Sequence, residues 1–276
     1  MNKYPSISQA FKILGFIIVL TVLIGIPLEL LNERIFKLSD SFVNLIMYSI
    51  PIIIASVRYL KRRKIANQDD YLIKQEKISL PILLSLIAFL LLIIIFTGPI
   101  DYLLPVPDWF NEMMSKFVSE DIFSFITVVI MAPILEELIL RGVILDGFLK
   151  FYNPRKAILL SAFLFGLFHL NPWQFVPAFI GGLYLGWIYY RTKSIIPCIV
   201  IHSINNLTAF LIIVYDPNDK LSNYFDENKV IYIFIILISI TIFTVGIRVL
   251  NEKLKSTHNG KIPGKPGFIA SLTGNE

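Results

Sequence analysis

Eight runs of mostly apolar residues divide this chain, at about 11–31, 42–60, 79–97, 121–149, 156–171, 174–191, 195–214 and 229–249. A bilayer core is about 30 Å thick and needs about 20 apolar residues of helix to cross it. The runs are long and do not alternate, which argues against membrane strands. In lipid, helices satisfy every backbone N–H and C=O within the segment itself. The expected fold class is therefore all-α: a polytopic membrane helical bundle of about eight transmembrane helices. Composition agrees, because a chain that is 55% hydrophobic and 16% charged does not describe a soluble domain.

The first run follows Lys3 and Lys12 and could be mistaken for a signal peptide. It is long for such a segment and no small-x-small cleavage pattern follows, so it reads as the first membrane helix. Basic residues then set the topology. With the N-terminus in the cytoplasm, 19 of the 25 Lys and Arg fall on inner segments and five on outer ones, with Arg141 left in the membrane. That bias places both termini inside. It also explains the net charge of +5 without a nucleic-acid partner. The single cysteine, Cys198, excludes an intrachain disulfide.

No repeat and no separate soluble domain is evident. The chain divides into residues 1–120, with the first three membrane helices and their loops, a core at 121–214, a last membrane helix within 215–250, and a tail at 251–276. The tail is rich in Lys, Gly and Pro and reads as disordered and cytoplasmic. The outer loops 98–120 and 215–228 are acidic, and Tyr102, Trp109, Tyr215 and Tyr224 suit a membrane–water interface. Gly181, Gly182 and Gly186 have the spacing of close helix packing.

Within the core, Glu136, Glu137 and Arg141 lie among Ile, Leu and Val. A charge at bilayer depth costs at least about 2.5–3.5 kcal/mol, so three in six residues need a reason. Glu137 and Arg141 are four apart, in the favourable order for an ion pair on one helix face, and read as structural. Glu136 is rotated by about 100° from Glu137 and is left over. Burial disfavours a charged carboxylate, which is the setting of a general base working near neutral pH. Two of the three histidines, His169 and His202, also lie in apolar helices, and His202 shares a face with Asn206.

A glutamate, two histidines and an asparagine in lipid are the parts for water activation. The carboxylate takes a proton from water, one histidine orients it, and the other histidine and the amide donate to an oxyanion. A metal version uses Glu136, His169 and His202 as ligands of a divalent ion such as zinc. No His-Glu-x-x-His occurs, so an ordinary zincin is excluded. Cys198, His202 and Asn206 form a stripe on one helix, but groups on one rigid helix converge poorly on one carbonyl, and this reading leaves Glu136 idle.

These residues resemble a known family. Glu136-Glu137-Leu-Ile-Leu-Arg141 is similar to the EExxxR motif of the CPBP intramembrane proteases, also called the CAAX-protease and bacteriocin-processing or Abi family. Phe165-Gly-Leu-Phe-His169 resembles its FxxxH motif, and His202-Ser-Ile-Asn-Asn206 its HxxxN motif. The resemblance covers about residues 120–210. It implies that Glu136 activates water with help from His169, that His202 and Asn206 form the oxyanion hole, and that Glu137, Arg141 and Phe165 support the site. It leaves open a metal-free glutamate mechanism or a divalent metal.

The expectation is an intramembrane endopeptidase, acting on membrane-associated or lipid-modified peptides and proteins, in a bacterial plasma membrane. In such a host, bacteriocins, pheromone precursors or membrane-anchored regulators suit the family better than prenylated proteins. The rivals are a non-catalytic scaffold or bacteriocin self-immunity protein that retains the motif core, and a transporter using Glu136 as a proton relay. Neither an inverted repeat nor paired broken helices support the transporter. One tension follows from the topology. His169 falls near the outer end of its run and His202 near the inner third of its own, so some helices must be short, tilted or displaced for the groups to meet. Pro133, Pro172 and Pro197 are the expected means.

Overall fold

The computed structural model describes residues 4–98, 104–216 and 227–257, which form helices and connecting turns. The helices are α1 (Ile7–Leu31, continued by a π-helical turn Asn32–Phe36), α2 (Asp40–Asn67), α3 (Leu80–Thr97) and α4 (Asp108–Phe117), then α5 (Ile122–Phe151), α6 (Pro154–Phe168), α7 (Pro172–Thr192), α8 (Ile196–Tyr215) and α9 (Lys229–Thr257). All eight apolar runs lie in helices. Among the described residues, six helices are long and apolar enough to cross a membrane: α1, α2, α3, α5, α8 and α9. The chain is an integral membrane protein. Apolar side chains such as Val19, Leu23, Ile233, Phe234 and Leu237 point outward from α1 and α9, as they should where the solvent is lipid.

Three differences from the sequence reading have physical causes. Helix α6 has 15 residues, about 22 Å of helix, and is too short for the bilayer core. An additional short helix, α4, carries Trp109 and Phe110, whose rings pack with Trp173 at the start of α7. Helix α9 runs on to Thr257, into the stretch expected to be disordered tail; residues 258–276 lie outside the described set, as do Tyr102 and Tyr224.

Helices α2 and α5 run parallel and are fastened along their length. The Phe42 and Phe123 rings meet at 4.9 Å near one end. Further along, Leu60 approaches Gly142 so closely that an added Cβ would lie 3.2 Å from its Cδ2. At the far end Arg63 pairs with Asp146. Arg63, one of the basic residues of the inner segments, is fully buried. Asp146 explains this: besides Arg63, it accepts hydrogen bonds from Tyr189 Oη (2.8 Å) and Tyr71 Oη (3.0 Å). Arg63 also donates to the Leu72 carbonyl at 2.7 Å and lies 3.2 Å from Asp69, which pairs in turn with Lys150. A buried charge needs such partners, and this set ties the loop after α2 to α5 and α7.

Helices α6 and α7 form a tight hairpin. Asn153 and Asn171 cap them, accepting from the Lys156 and Gln174 amides, with Pro154 and Pro172 in the first turns. Gly182 faces Ala162, where a Cβ would stand 3.0 Å from the Ala162 Cα, and Gly186 faces Ile158 at the same distance. Gly181 has nothing within 4 Å. Two of the three glycines therefore set the interhelical spacing. We expect Gly182→Leu to lower unfolding stability in detergent by about 1–3 kcal/mol through overpacking. Gly181→Ala should be neutral or stabilising by up to about 1 kcal/mol, as measured by thermal unfolding of both variants.

Candidate active site

Helix α5 presents the first motif. Asp121 caps it, accepting from the Phe123 amide at 2.8 Å. Two π-helical segments, Ile126–Met131 and Leu138–Leu145, flank a short α-helical turn, Ala132–Glu137. Pro133 sits at the start of that turn and has no N–H to offer the preceding turn. Single π turns commonly mark functional sites because they rotate the residues that follow. Here they bracket Glu136 and Glu137.

Glu137 is fully buried and Arg141 almost so. Arg141 Nη1 donates to Glu137 Oε1 at 2.7 Å, its Nη2 donates to the Gly182 carbonyl at 3.3 Å, and its guanidinium lies 5.1 Å from the Phe165 ring centre. The ion pair read from the i, i+4 spacing is present. The same Glu137 oxygen lies 2.9 Å from His202 Nδ1. A carboxylate accepts, so Nδ1 carries the hydrogen and the imidazole orientation is fixed.

Glu136 is 8% exposed and is not alone, contrary to its reading as a spare carboxylate. Tyr48 of α2 donates its hydroxyl to Glu136 Oε1. The other oxygen, Oε2, lies 3.7 Å from His202 Nε2. His202 thus stands between the two glutamates. Glu136 also borders an apolar crevice formed by Leu14 and Ile17 of α1, Ile52 of α2, Ile139 and Leu140 of α5, and Phe168 of α6.

His169 follows the last residue of the short helix α6. Its Nδ1 lies 3.0 Å from the Phe165 carbonyl. A carbonyl only accepts, so in this geometry Nδ1 donates and Nε2 presents a lone pair. Leu170 turns the chain with φ 58°, a conformation that costs a residue with a Cβ about 1–2 kcal/mol. Asn171 Nδ2 holds the turn by donating to the His169 carbonyl at 2.8 Å. The Phe165 ring lies 5.2 Å from the His169 ring and 5.5 Å from the His202 ring. Phe165 is therefore the wall between the two histidines, touching both and Arg141.

The structure thus gathers Glu136, Glu137, Arg141 and His202 into direct contact and brings His169 in through Phe165. Asn206 is placed one turn beyond His202, where its Nδ2 donates to the Val128 carbonyl at 2.9 Å. Helix α6 ends at Phe168, and His169 lies just beyond it, with the Phe165 ring between it and His202. Pro172 and Pro197 lie in the first turns of α7 and α8 and do not act as mid-helix breaks. Among the described residues, no three of His, Cys, Asp and Glu come together as a metal-ligand set, and Glu136, His169 and His202 are not gathered as one. The Cys198 thiol donates to the Leu185 carbonyl at 3.5 Å.

Fold and site define a class: an integral membrane helical protein with a carboxylate–histidine cluster buried inside the bundle. Residues 118–208 match the family model described as Rce1-like, type II CAAX prenyl endopeptidase Rce1-like. That stretch contains all three motifs and bears out the family read from them, a family of membrane endopeptidases. No curated protein matches the chain. No solved structure matches it either.

Tyr48 carries no charge and lies outside the three motifs, so the sequence did not single it out. Its signal was present: a tyrosine inside an apolar run, away from the interface where tyrosines usually anchor helices. The geometry predicts unequal costs for the two glutamates. Glu137→Ala strands Arg141 and His202 and should cost roughly 3–5 kcal/mol of stability. Glu136→Gln keeps an oxygen for Tyr48 and should change stability by under about 1 kcal/mol, read by thermal unfolding in the same detergent.

Proposed function

We propose that this chain is an intramembrane endopeptidase that hydrolyses peptide bonds of membrane-associated or lipid-modified substrates by glutamate-activated water. The observation that carries the reading is the pairing of Glu136 Oε2 with His202 Nε2 at 3.7 Å, inside the bundle. Two polar atoms at that separation can share one water, each at about 2.8 Å, a normal hydrogen-bond length. Glu136 takes the proton of that water as its oxygen attacks the scissile carbonyl. It then returns the proton to the leaving amine, so the carboxylate is regenerated.

The histidines have separable parts. With Nδ1 held by Glu137, His202 turns Nε2 toward Glu136, and a hydrogen on Nε2 is a donor to the developing oxyanion. Asn206 has a second amide hydrogen beyond the one given to Val128, and serves the same oxyanion. His169, with its Nε2 lone pair free of the Phe165 carbonyl, assists Glu136 by accepting a hydrogen bond from the water.

Substrate and setting belong to the same proposal. The protein works in a bacterial plasma membrane with both termini in the cytoplasm, as the basic-residue bias supports. Its substrates are small membrane-anchored or secreted peptide precursors. The test offers purified wild type and Glu136→Gln a panel of membrane-anchored, lipid-modified and unmodified peptides in liposomes, with products read by mass spectrometry. Wild type should cleave at a defined bond. Glu136→Gln should be slower by at least about 100-fold at unchanged expression and unfolding temperature. Equal cleavage by both proteins would remove Glu136 as the base. In cells, a phenotype indifferent to Glu136→Gln would favour a scaffold or immunity protein.

A further inference from the structure

The structure assigns a further residue to this site from outside the segment that carries the motifs: we propose that Tyr48 is a positioning residue, whose hydroxyl pins one oxygen of Glu136 so that the other faces His202. The assignment rests on the reading of Glu136 as the base. Tyr48 lies in α2, 88 positions from Glu136 in the chain, and the stretch matched to the family begins only at residue 118.

The contact is held by the architecture rather than by one side chain's rotamer. Helices α2 and α5 are fixed in register on either side of it, by Phe42 against Phe123 before and by Leu60 against Gly142 and Arg63 with Asp146 after. Ile52, four residues on and on the same face as Tyr48, lines the crevice beside Glu136. Pro51 interrupts the hydrogen-bond ladder of α2 at this point, because it has no N–H for the Met47 carbonyl. The groups facing Glu136 can be named from each packed helix. Among the described residues they are Tyr48 from α2 and His202 from α8, with the Glu137–Arg141 pair adjoining on its own helix and Leu14 and Ile17 of α1 lining the crevice.

A carboxylate has two equivalent oxygens and a freely turning terminal bond. A hydrogen bond to a charged group is about twice as strong as one between neutral groups, and a single donor on Oε1 suffices to stop that rotation. Oε2 is then left toward His202 Nε2, where the water is to be activated. Without the donor, the carboxylate can turn away or approach His202 directly. Misplacement by about 1 Å can cost 100-fold in rate.

The test compares wild type, Tyr48→Phe, Tyr48→Leu, Tyr48→His, Glu136→Gln and the Tyr48→Phe/Glu136→Gln double variant, on a peptide that wild type cleaves. Tyr48→Phe removes one oxygen and keeps the ring. It should lower kcat by about 10–100-fold with KM within about two-fold and the unfolding temperature unchanged. Tyr48→Leu should behave alike, and Tyr48→His, which keeps an N–H, should recover part of the rate. In the Glu136→Gln background, Tyr48→Phe should have no further effect. Infrared spectroscopy gives a readout independent of turnover: the Glu136 carboxyl band, assigned by its loss in Glu136→Gln, should shift in Tyr48→Phe. A wild-type kcat in Tyr48→Phe, a change in KM alone, or an unmoved carboxyl band would overturn the assignment. Should Glu136→Gln cleave like wild type, the reading of Glu136 as the base falls, and the infrared comparison still decides whether Tyr48 holds Glu136.

Discussion

One carboxylate oxygen, Glu137 Oε1, accepts from Arg141 Nη1 at 2.7 Å and holds His202 Nδ1 at 2.9 Å. The rest of the site depends on that sharing. A lone arginine or glutamate within the bilayer would be costly, and an unoriented imidazole would have no defined role. Here each charge is answered within its own cluster, and the answer fixes geometry. His202 is locked with Nε2 toward Glu136, and Arg141 is locked against the Gly182 carbonyl and the Phe165 ring. The same guanidinium thus fastens α5 to α7 while it neutralises the glutamate.

The helices serve that cluster by being irregular where it lies. Two π-helical segments bracket the glutamates in α5, and α6 stops after 15 residues, with His169 just beyond its end beside Phe165. Small residues bring α6 and α7 together: Gly182 against Ala162 places the carbonyl that Arg141 needs. The second buried network, around Arg63 and Asp146, anchors the parallel pair α2 and α5 at the end remote from the Phe42–Phe123 contact. The N-terminal helices are therefore part of the site's frame, and Tyr48 connects them to it.

Much of this was legible in the sequence, for identifiable reasons. Long apolar runs declare membrane helices, because lipid leaves the backbone no alternative. The Glu137–Arg141 pair follows from i, i+4 spacing alone. The meeting of Glu136 with His202 was expected as chemistry and not as geometry, since depth along separate helices cannot be read from run lengths. The shortness of α6 was hidden because the run around 156–171 continues apolar through Leu167, Phe168 and Leu170. The burial of Arg63 was not legible because its partner Asp146 lies 83 positions away. Tyr48 carries no charge and belongs to no motif, so only the packing of α2 on α5 reveals it.

The proposed nucleophile is a water molecule activated by Glu136. The most direct measurement is a single turnover in oxygen-18 water, with enzyme in excess over a cleavable peptide and both partners analysed by mass spectrometry. The account predicts one heavy oxygen in the new C-terminal carboxylate of the product, no heavy oxygen in the peptide containing Glu136, and no covalent adduct on the protein. Heavy oxygen in Glu136, or a trapped acyl group on Glu136 or Cys198, would contradict it.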